Sequence, residues 1–284
     1  MTTRRDVVRA IAALAATGVV PRAARAFDAS ALPPDRIERI GVQLYTVRSL
    51  MTKDMPGTLA AVAAAGYKEV EFAGYFGRSP AEVKQLLADH GLTAPSTHLS
   101  LDDVQARFDT TADSARAIGV RYLTVASLDM RGIKTADDWK RIAGIFNDVG
   151  RRAAAAGLHF GYHNHSVEFT AANGVTPMDI LLAETDPALV TFEMDLYWAV
   201  KAGQDPRAYF TRYPGRFAMV HVKDATPAPA LEMTDVGSGS VDWKAIFALH
   251  AKAGIHHYFV EHDNPADPLA SITKSAGYLK ALTF

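Results

Sequence analysis

Hydrophobic and polar positions along this chain follow two periods that replace one another at regular intervals. Short apolar runs ending in polar residues cover 39–47, 67–73, 92–99, 121–127, 159–165, 190–195, 217–224 and 257–263. Between them lie amphipathic, often alanine-rich stretches at 58–65, 80–90, 110–118, 136–156, 177–183, 206–213, 243–253 and 268–282. The runs predict strands and the stretches predict helices. Gly66, Gly91, Gly119, Gly157, Gly215 and Gly254 stand just ahead of strands, where a glycine closes the preceding helix in the left-handed conformation. Eight such units in alternation predict a parallel sheet, and eight is the number that closes into a (β/α)8 TIM barrel. An open, doubly wound sheet is the alternative. It fits less well, because no strand is followed by a Gly-x-Gly-x-x-Gly turn, and Gly237-Ser238-Gly239 follows a proline-containing loop instead.

Composition removes several function classes. With 284 residues, 49% of them hydrophobic, the chain can bury one large α/β core. A net charge of −1 without a basic cluster argues against a nucleic-acid partner. The absence of cysteine excludes disulfides, thiolate nucleophiles and Cys-bound metals, so any metal must sit on His, Asp or Glu.

Residues 1–26 read differently from the rest. Arg4-Arg5, an alanine-rich run over 10–20 and a closing Ala24-Arg25-Ala26 form the three-part pattern of an export signal. The paired arginines, with Arg22 and Arg25 near the cleavage point, favour the twin-arginine route. The expectation is a periplasmic protein of residues 27–284 whose net charge becomes −5 once five Arg and one Asp leave. The apolar run is too short for a membrane span, so no membrane association is expected after cleavage. A homo-oligomer is compatible with these features.

In a (β/α)8 barrel the strand C-termini open on one face, so polar residues there converge from distant parts of the chain. The predicted ends supply Gln43 and Tyr45, Glu69 and Glu71, His98, then Ser127 and Asp129. Further along come His163, Asn164 and His165 with Glu168 beyond, Glu193 and Asp195, His221, Lys223 and Asp224, and Glu261, His262 and Asp263. A single strand-end His or Asp is usually a helix cap or half of an ion pair. Carboxylates and imidazoles on successive ends, with almost none at the strand starts, would repel and desolvate one another unless a cation compensated them. One divalent ion does so, and mixed His/carboxylate ligands suit Mn²⁺, Mg²⁺, Co²⁺ or Zn²⁺.

The segments Gly41 to Arg48, Val70-Glu71-Phe72, Tyr162-His163-Asn164-His165 with Glu168-Phe169, and Phe192-Glu193-Met194-Asp195 resemble the xylose-isomerase-like superfamily, in its sugar phosphate isomerase/epimerase branch. His221-Val222-Lys223-Asp224, Val236 to Gly239 with Asp242-Trp243, and Val260-Glu261-His262-Asp263 extend the likeness to the last strand. The resemblance implies one divalent metal held by Asp195, His221 and Glu261, with a carboxylate from the fifth strand. At that strand this sequence departs from the family: His163 stands at the tip, and Glu168, in the loop beyond, becomes the expected fourth ligand, with His163 the alternative. Trp198 stands where the epimerases often carry His. The His-rich fifth strand is similar to that of inosose dehydratases.

The resemblance therefore implies a metal-dependent isomerase or epimerase of a small sugar or keto-sugar, working through an enediolate. The alternatives are a keto-sugar lyase or dehydratase of 3-keto-glycoside or inosose type, and a non-catalytic exported sugar-binding protein. His163, His165 and Lys223 are the expected proton-transfer groups. Gln43, Glu71, His98, Trp198 and His262 are expected to bind substrate, with Trp198 or Tyr45 stacking on the sugar ring.

Overall fold

The computed structural model describes residues 35–171 and 175–284, and the expected export signal at 1–26 lies outside them. Eight parallel strands close into a barrel: β1 (Ile40–Gln43), β2 (Glu69–Phe72), β3 (Thr93–Leu99), β4 (Tyr122–Val125), β5 (His159–His163), β6 (Val190–Asp195), β7 (Phe217–Val222) and β8 (His257–Val260). β8 returns to β1, with Tyr258 opposite Ile40 and Val260 opposite Val42. All eight predicted strands are present, and the closed barrel excludes the open sheet.

Outward-facing strand residues pack on the surrounding helices, which is what near-continuous apolar runs require. Phe160 and Tyr162 of β5 lie 5.2 and 4.8 Å from Phe146 of the helix Ala136–Ala155. Phe217 of β7 meets Phe210 of the helix Pro206–Arg212 at 5.2 Å. Inward-facing residues fill the barrel in layers. Tyr122, Met219 and Phe259 make an apolar middle layer that closes only because glycines face it. A Cβ on Gly41 would lie 2.5 Å from Phe259 Cδ1, and one on Gly161 would lie 3.0 Å from Thr124 Oγ1.

The layer below corrects the expectation that polar groups avoid the strand starts. Glu69 opens β2 and does not end it. At the N-terminal face its carboxylate accepts from Arg39 Nε at 2.9 Å and lies 2.7 Å from His257 Nδ1. Two residues along the same face, Glu71 has risen to the opposite end of the barrel.

Helix starts follow their sequence signals. Ser79 with Glu82, Ser100 with Asp103, and Thr135 with Asp138 form reciprocal capping boxes. The six glycines ahead of the strands all have positive φ, and a Cβ on Gly254 (φ 87°) would come within 3.0 Å of Gly215 Cα. Among the described residues six short helical segments follow strand ends where none was expected: Leu44–Val47, Arg48–Lys53, Leu101–Gln105, Met130–Gly132, Val167–Phe169 and Leu196–Lys201. Side chains turn the chain at the first and the last. Gln43 Oε1 accepts from Tyr45 N at 3.0 Å, and Asp195 Oδ1 accepts from Trp198 N at 3.0 Å. The stretch predicted as one helix at 243–253 is two, Trp243–Phe247 and His250–Ala253. The break lets Phe247 pack on Tyr258 while His250 reaches Phe284, at 5.3 Å in both cases. Asp35 and Phe284 exchange backbone hydrogen bonds of 2.9 and 3.1 Å, so the two ends of the described fold meet. Among the described residues no helix is long and apolar enough to cross a membrane.

Candidate active site

A cavity of about 550 Å³ opens over the C-terminal ends of the strands, with His98, His163, His165, Lys223, Glu261 and Asp263 in its wall. Beneath it the inward residues of the top layer form one connected polar cluster. Glu71 is fully buried. It accepts from Gln43 Nε2 at 2.7 Å and from Ser96 Oγ, and lies 2.7 Å from His221 Nε2. Ser96 Oγ in turn lies 2.9 Å from Thr124 Oγ1. Gln43 thus uses its two amide ends on Glu71 and Tyr45, beneath the cavity wall.

Glu193 is the centre of the cluster. Its Oε2 lies 2.7 Å from His98 Nε2, 3.1 Å from His163 Nδ1 and 3.1 Å from His221 Nε2, while among the described residues its buried Oε1 has no hydrogen-bond partner. Glu193 stands at a predicted strand end but is absent from the expected ligands and proton-transfer groups, where its neighbour Asp195 is included. The signal was the spacing, since residues two apart on a strand share a face and Asp195 cannot point into the barrel without Glu193 doing so.

On the other side of His221, Nδ1 lies 2.7 Å from Glu261 Oε2 and 4.0 Å from Asp195 Oδ2. Lys223 Nζ, almost wholly buried, lies 2.9 Å from Asp195 Oδ2, 2.7 Å from Glu261 Oε2 and 2.9 Å from Asp263 Oδ1. The contact to Asp263 is an aligned hydrogen bond, while Asp195 Oδ2 is held by the ammonium chiefly through charge.

The electrostatics follow from this crowding. Burial, reinforced by Glu193, pushes the Glu71 carboxyl up, and burial also raises that of Asp195. For Glu193 burial acts upward as well, but the surrounding imidazoles outweigh it and hold the group well below the usual carboxylate range. Burial lowers His221 and Lys223, yet the carboxylates around each prevail and keep both well above their ordinary values. His163 goes the other way. Burial and the neighbouring His221 push it well below the ordinary imidazole range.

Among the described residues two groups of side chains converge closely enough to hold a cation: Asp195, His221 and Glu261, and His98, His163, Glu193 and His221. Among the described residues Glu193 Oε1 has no hydrogen-bond partner and Asp195 Oδ2 has only the charge of Lys223 beside it, so both are acceptors an ion would satisfy, and the mixed His/carboxylate donors suit a divalent metal. The first group contains three of the four expected ligands. Glu168 is not brought to it. Its carboxylate accepts from the Tyr162 hydroxyl and, at 2.8 Å, from His165 N, clamping the loop after β5. His163, the alternative, lies in the cavity with Nε2 3.7 Å from Asp195 Oδ2.

The remaining expected residues divide. His98 lies in the cluster and in the cavity wall, and His165 lines the cavity with its ring edge-on to His163 at 5.0 Å. Trp198 stands behind His165 at 5.8 Å, and among the described residues its buried Nε1 has no hydrogen-bond partner. His262 is outside the cavity wall. Its backbone N–H donates to Thr46 Oγ1 at 3.0 Å, and its Nδ1 accepts from Asn264 N at 3.3 Å. Asp263, its neighbour, faces the cavity instead.

Comparison with known proteins agrees with this architecture. The chain is 26% identical to an inosose dehydratase of Lacticaseibacillus casei over 257 residues, covering 76% of this chain and 86% of that protein. It is 24% identical to an inosose dehydratase of Geobacillus thermodenitrificans over 262 residues, covering 78% and 87%. The crystal structure of a sugar phosphate isomerase/epimerase from Parabacteroides distasonis superposes with a TM-score of 0.76 at 29% identity, covering 89% of this chain and 96% of that one. Residues 59–282 match the model of the xylose isomerase-like TIM barrel, and by that match and its closed eight-stranded barrel this chain belongs to the xylose isomerase-like TIM barrel family.

Proposed function

We propose that this chain is a divalent-metal-dependent carbohydrate enzyme that removes the proton beside a ketone and expels the oxygen substituent one carbon further on, a lyase or dehydratase reaction. One observation carries the choice. An imidazole and an ammonium that both line the cavity, His163 with Nε2 at 3.7 Å and Lys223 with Nζ at 2.9 Å, flank the same buried oxygen of Asp195. Elimination needs a proton acceptor and a proton donor of this kind beside one substrate.

Asp195, His221 and Glu261 would hold the metal, which when bound supplies Lewis acidity for the charge that develops on the ketone oxygen. His163, held by Glu193 through Nδ1, takes the carbon-bound proton on Nε2. Lys223 gives a proton to the departing hydroxyl or alkoxyl oxygen, and Asp263 and Glu261 keep its ammonium in place. His98 and His165 line the path of the substrate's hydroxyls.

The names of the inosose dehydratases at 24 to 26% identity support this reading. A second reading, isomerase or epimerase action through the same enediolate, is favoured by the name of the Parabacteroides structure. The test is incubation with keto-sugars and inososes in deuterated water, with metal and with chelator, followed by mass spectrometry. Metal-dependent loss of water or an aglycone supports the lyase. A labelled product of unchanged formula supports the isomerase or epimerase instead. Tight binding without exchange or turnover would overturn both in favour of a sugar-binding protein. We further propose that residues 1–26 direct the folded protein to the periplasm; replacing Arg4 and Arg5 by Lys should retain precursor in the cytoplasm, and unchanged export would refute the twin-arginine route.

A further inference from the structure

The segment from Gln43 to Arg48 is only half used by the site described so far. Gln43 braces Glu71, and Thr46 anchors the backbone of His262. Tyr45 and Arg48 serve neither purpose. Arg48 Nη1 donates to Tyr45 O at 2.7 Å and to Asp263 O at 2.8 Å, and Nη2 donates to Asn264 Oδ1 at 2.9 Å. The same guanidinium lies 3.9 Å from the centroid of the Tyr45 ring, a cation–π contact that fixes the ring's plane. Tyr45 is 42% exposed all the same, and it lines the cavity. Among the described residues its hydroxyl has no hydrogen-bond partner. A large aromatic ring held rigid and left bare at the mouth of a polar cavity offers a flat apolar face, the surface on which the C–H face of a sugar ring stacks.

Charge and size narrow the occupant. The cavity wall carries Asp103, Glu261 and Asp263, and Lys223, its one Lys or Arg, lies within 2.9 Å of three carboxylates. Arg48 spends three of its five N–H donors on Tyr45, Asp263 and Asn264, which ties its guanidinium to the segment it braces. A cavity of about 550 Å³ falls in the range that takes drug-sized ligands, larger than a single sugar ring.

We propose that Tyr45, braced by Arg48, forms an outer subsite for a second, uncharged ring joined by a glycosidic bond to the sugar that reacts, and that the site disfavours phosphorylated sugars. The proposal rests on the reading of the inner site as carbohydrate-binding. It is tested by binding alone, using ligand-observed NMR on the full chain with chelator present to stop turnover. The probes are methyl 3-ketoglucoside, 3-ketocellobiose with the ketone on its non-reducing ring, and 3-ketoglucose 6-phosphate. The disaccharide should bind about tenfold more tightly than the methyl glycoside, and the phosphate more weakly than either. Tyr45→Ala should bring disaccharide and methyl glycoside within about twofold, the loss falling on the disaccharide, and Tyr45→Phe should keep the preference. A preference that survives Tyr45→Ala, no preference in the unaltered chain, tighter binding of the phosphate, or no binding of any probe would overturn the subsite. Failure of metal-dependent deuterium exchange with the preference intact would instead overturn the proposed chemistry and leave the subsite standing.

Discussion

Replacing Lys223 with methionine separates the two cations that the cluster can accommodate. The ammonium lies 2.7 to 2.9 Å from Asp195, Glu261 and Asp263. At those distances and an effective dielectric of about 20, each contact is worth roughly 6 kcal/mol before desolvation is subtracted. Removing one partner of a buried pair typically leaves a net loss of about 3–5 kcal/mol. For a chain of this size each kcal/mol lowers Tm by roughly 2–4 °C, so Lys223→Met in chelator should melt about 6–20 °C below the unaltered protein. A divalent ion restores what the substitution removed, because it puts positive charge against Asp195 and Glu261 where no ammonium now competes. Thermal unfolding followed by circular dichroism, with chelator and with saturating Mn²⁺, should show a larger metal-induced rise in the variant than in the unaltered chain. The reasoning fails if the variant in chelator melts within about 2 °C of the unaltered protein, or if Mn²⁺ raises both by the same amount.

His221→Ala removes the ligand common to both convergent groups, and elemental analysis after dialysis should find its metal sharply depleted; a full equivalent would refute the assignment. Glu168→Ala should keep its metal yet lose about 1–3 kcal/mol, because Tyr162 and the backbone of His165 lose their acceptor; loss of metal would make Glu168 a ligand after all. Glu69 carries a pH signature at the opposite face. Burial pushes its carboxyl up, but His257 and Arg39 outweigh that and hold it below the usual range. Its stabilisation is therefore complete above the unfolded pKa and lost as pH falls through the lower folded value. Glu69→Gln should cost roughly 1 kcal/mol near pH 7 and progressively less in acid; an equal cost at both, read from urea denaturation, would refute the ionic account.

The barrel was legible because each strand is a short apolar run and six of the seven turns that return from a helix to a strand carry a glycine. The strand ends that converge were legible from the barrel pattern, whereas Asp195, His221 and Glu261 were singled out among them by the family resemblance; the structure brings these three together. What escaped depended on height along a strand and on contacts between distant residues. Glu69 and Glu71 point into the same barrel, but two residues of strand separate the N-terminal ion pair from the site. Glu168 reads as a ligand until Tyr162, six residues earlier, is seen to reach it. The turns after Gln43 and Asp195 were hidden because a side chain, and not a glycine or proline, bends the chain there.

The meeting of Asp35 and Phe284 through two backbone hydrogen bonds matters for how the fold can be rewired. Asp35 leads into the start of β1 and Phe284 follows the last helix, so the junction lies at the N-terminal face, a full strand length from the cavity. Joining these two residues through a short linker would require little rearrangement, since they are already neighbours. New chain ends could then be opened in any exposed return loop on that face, giving circular permutants that keep all eight strands in the same ring. Before and after such a change the ends of the described fold lie away from the mouth, so every loop there stays anchored on both sides by the ring of strands.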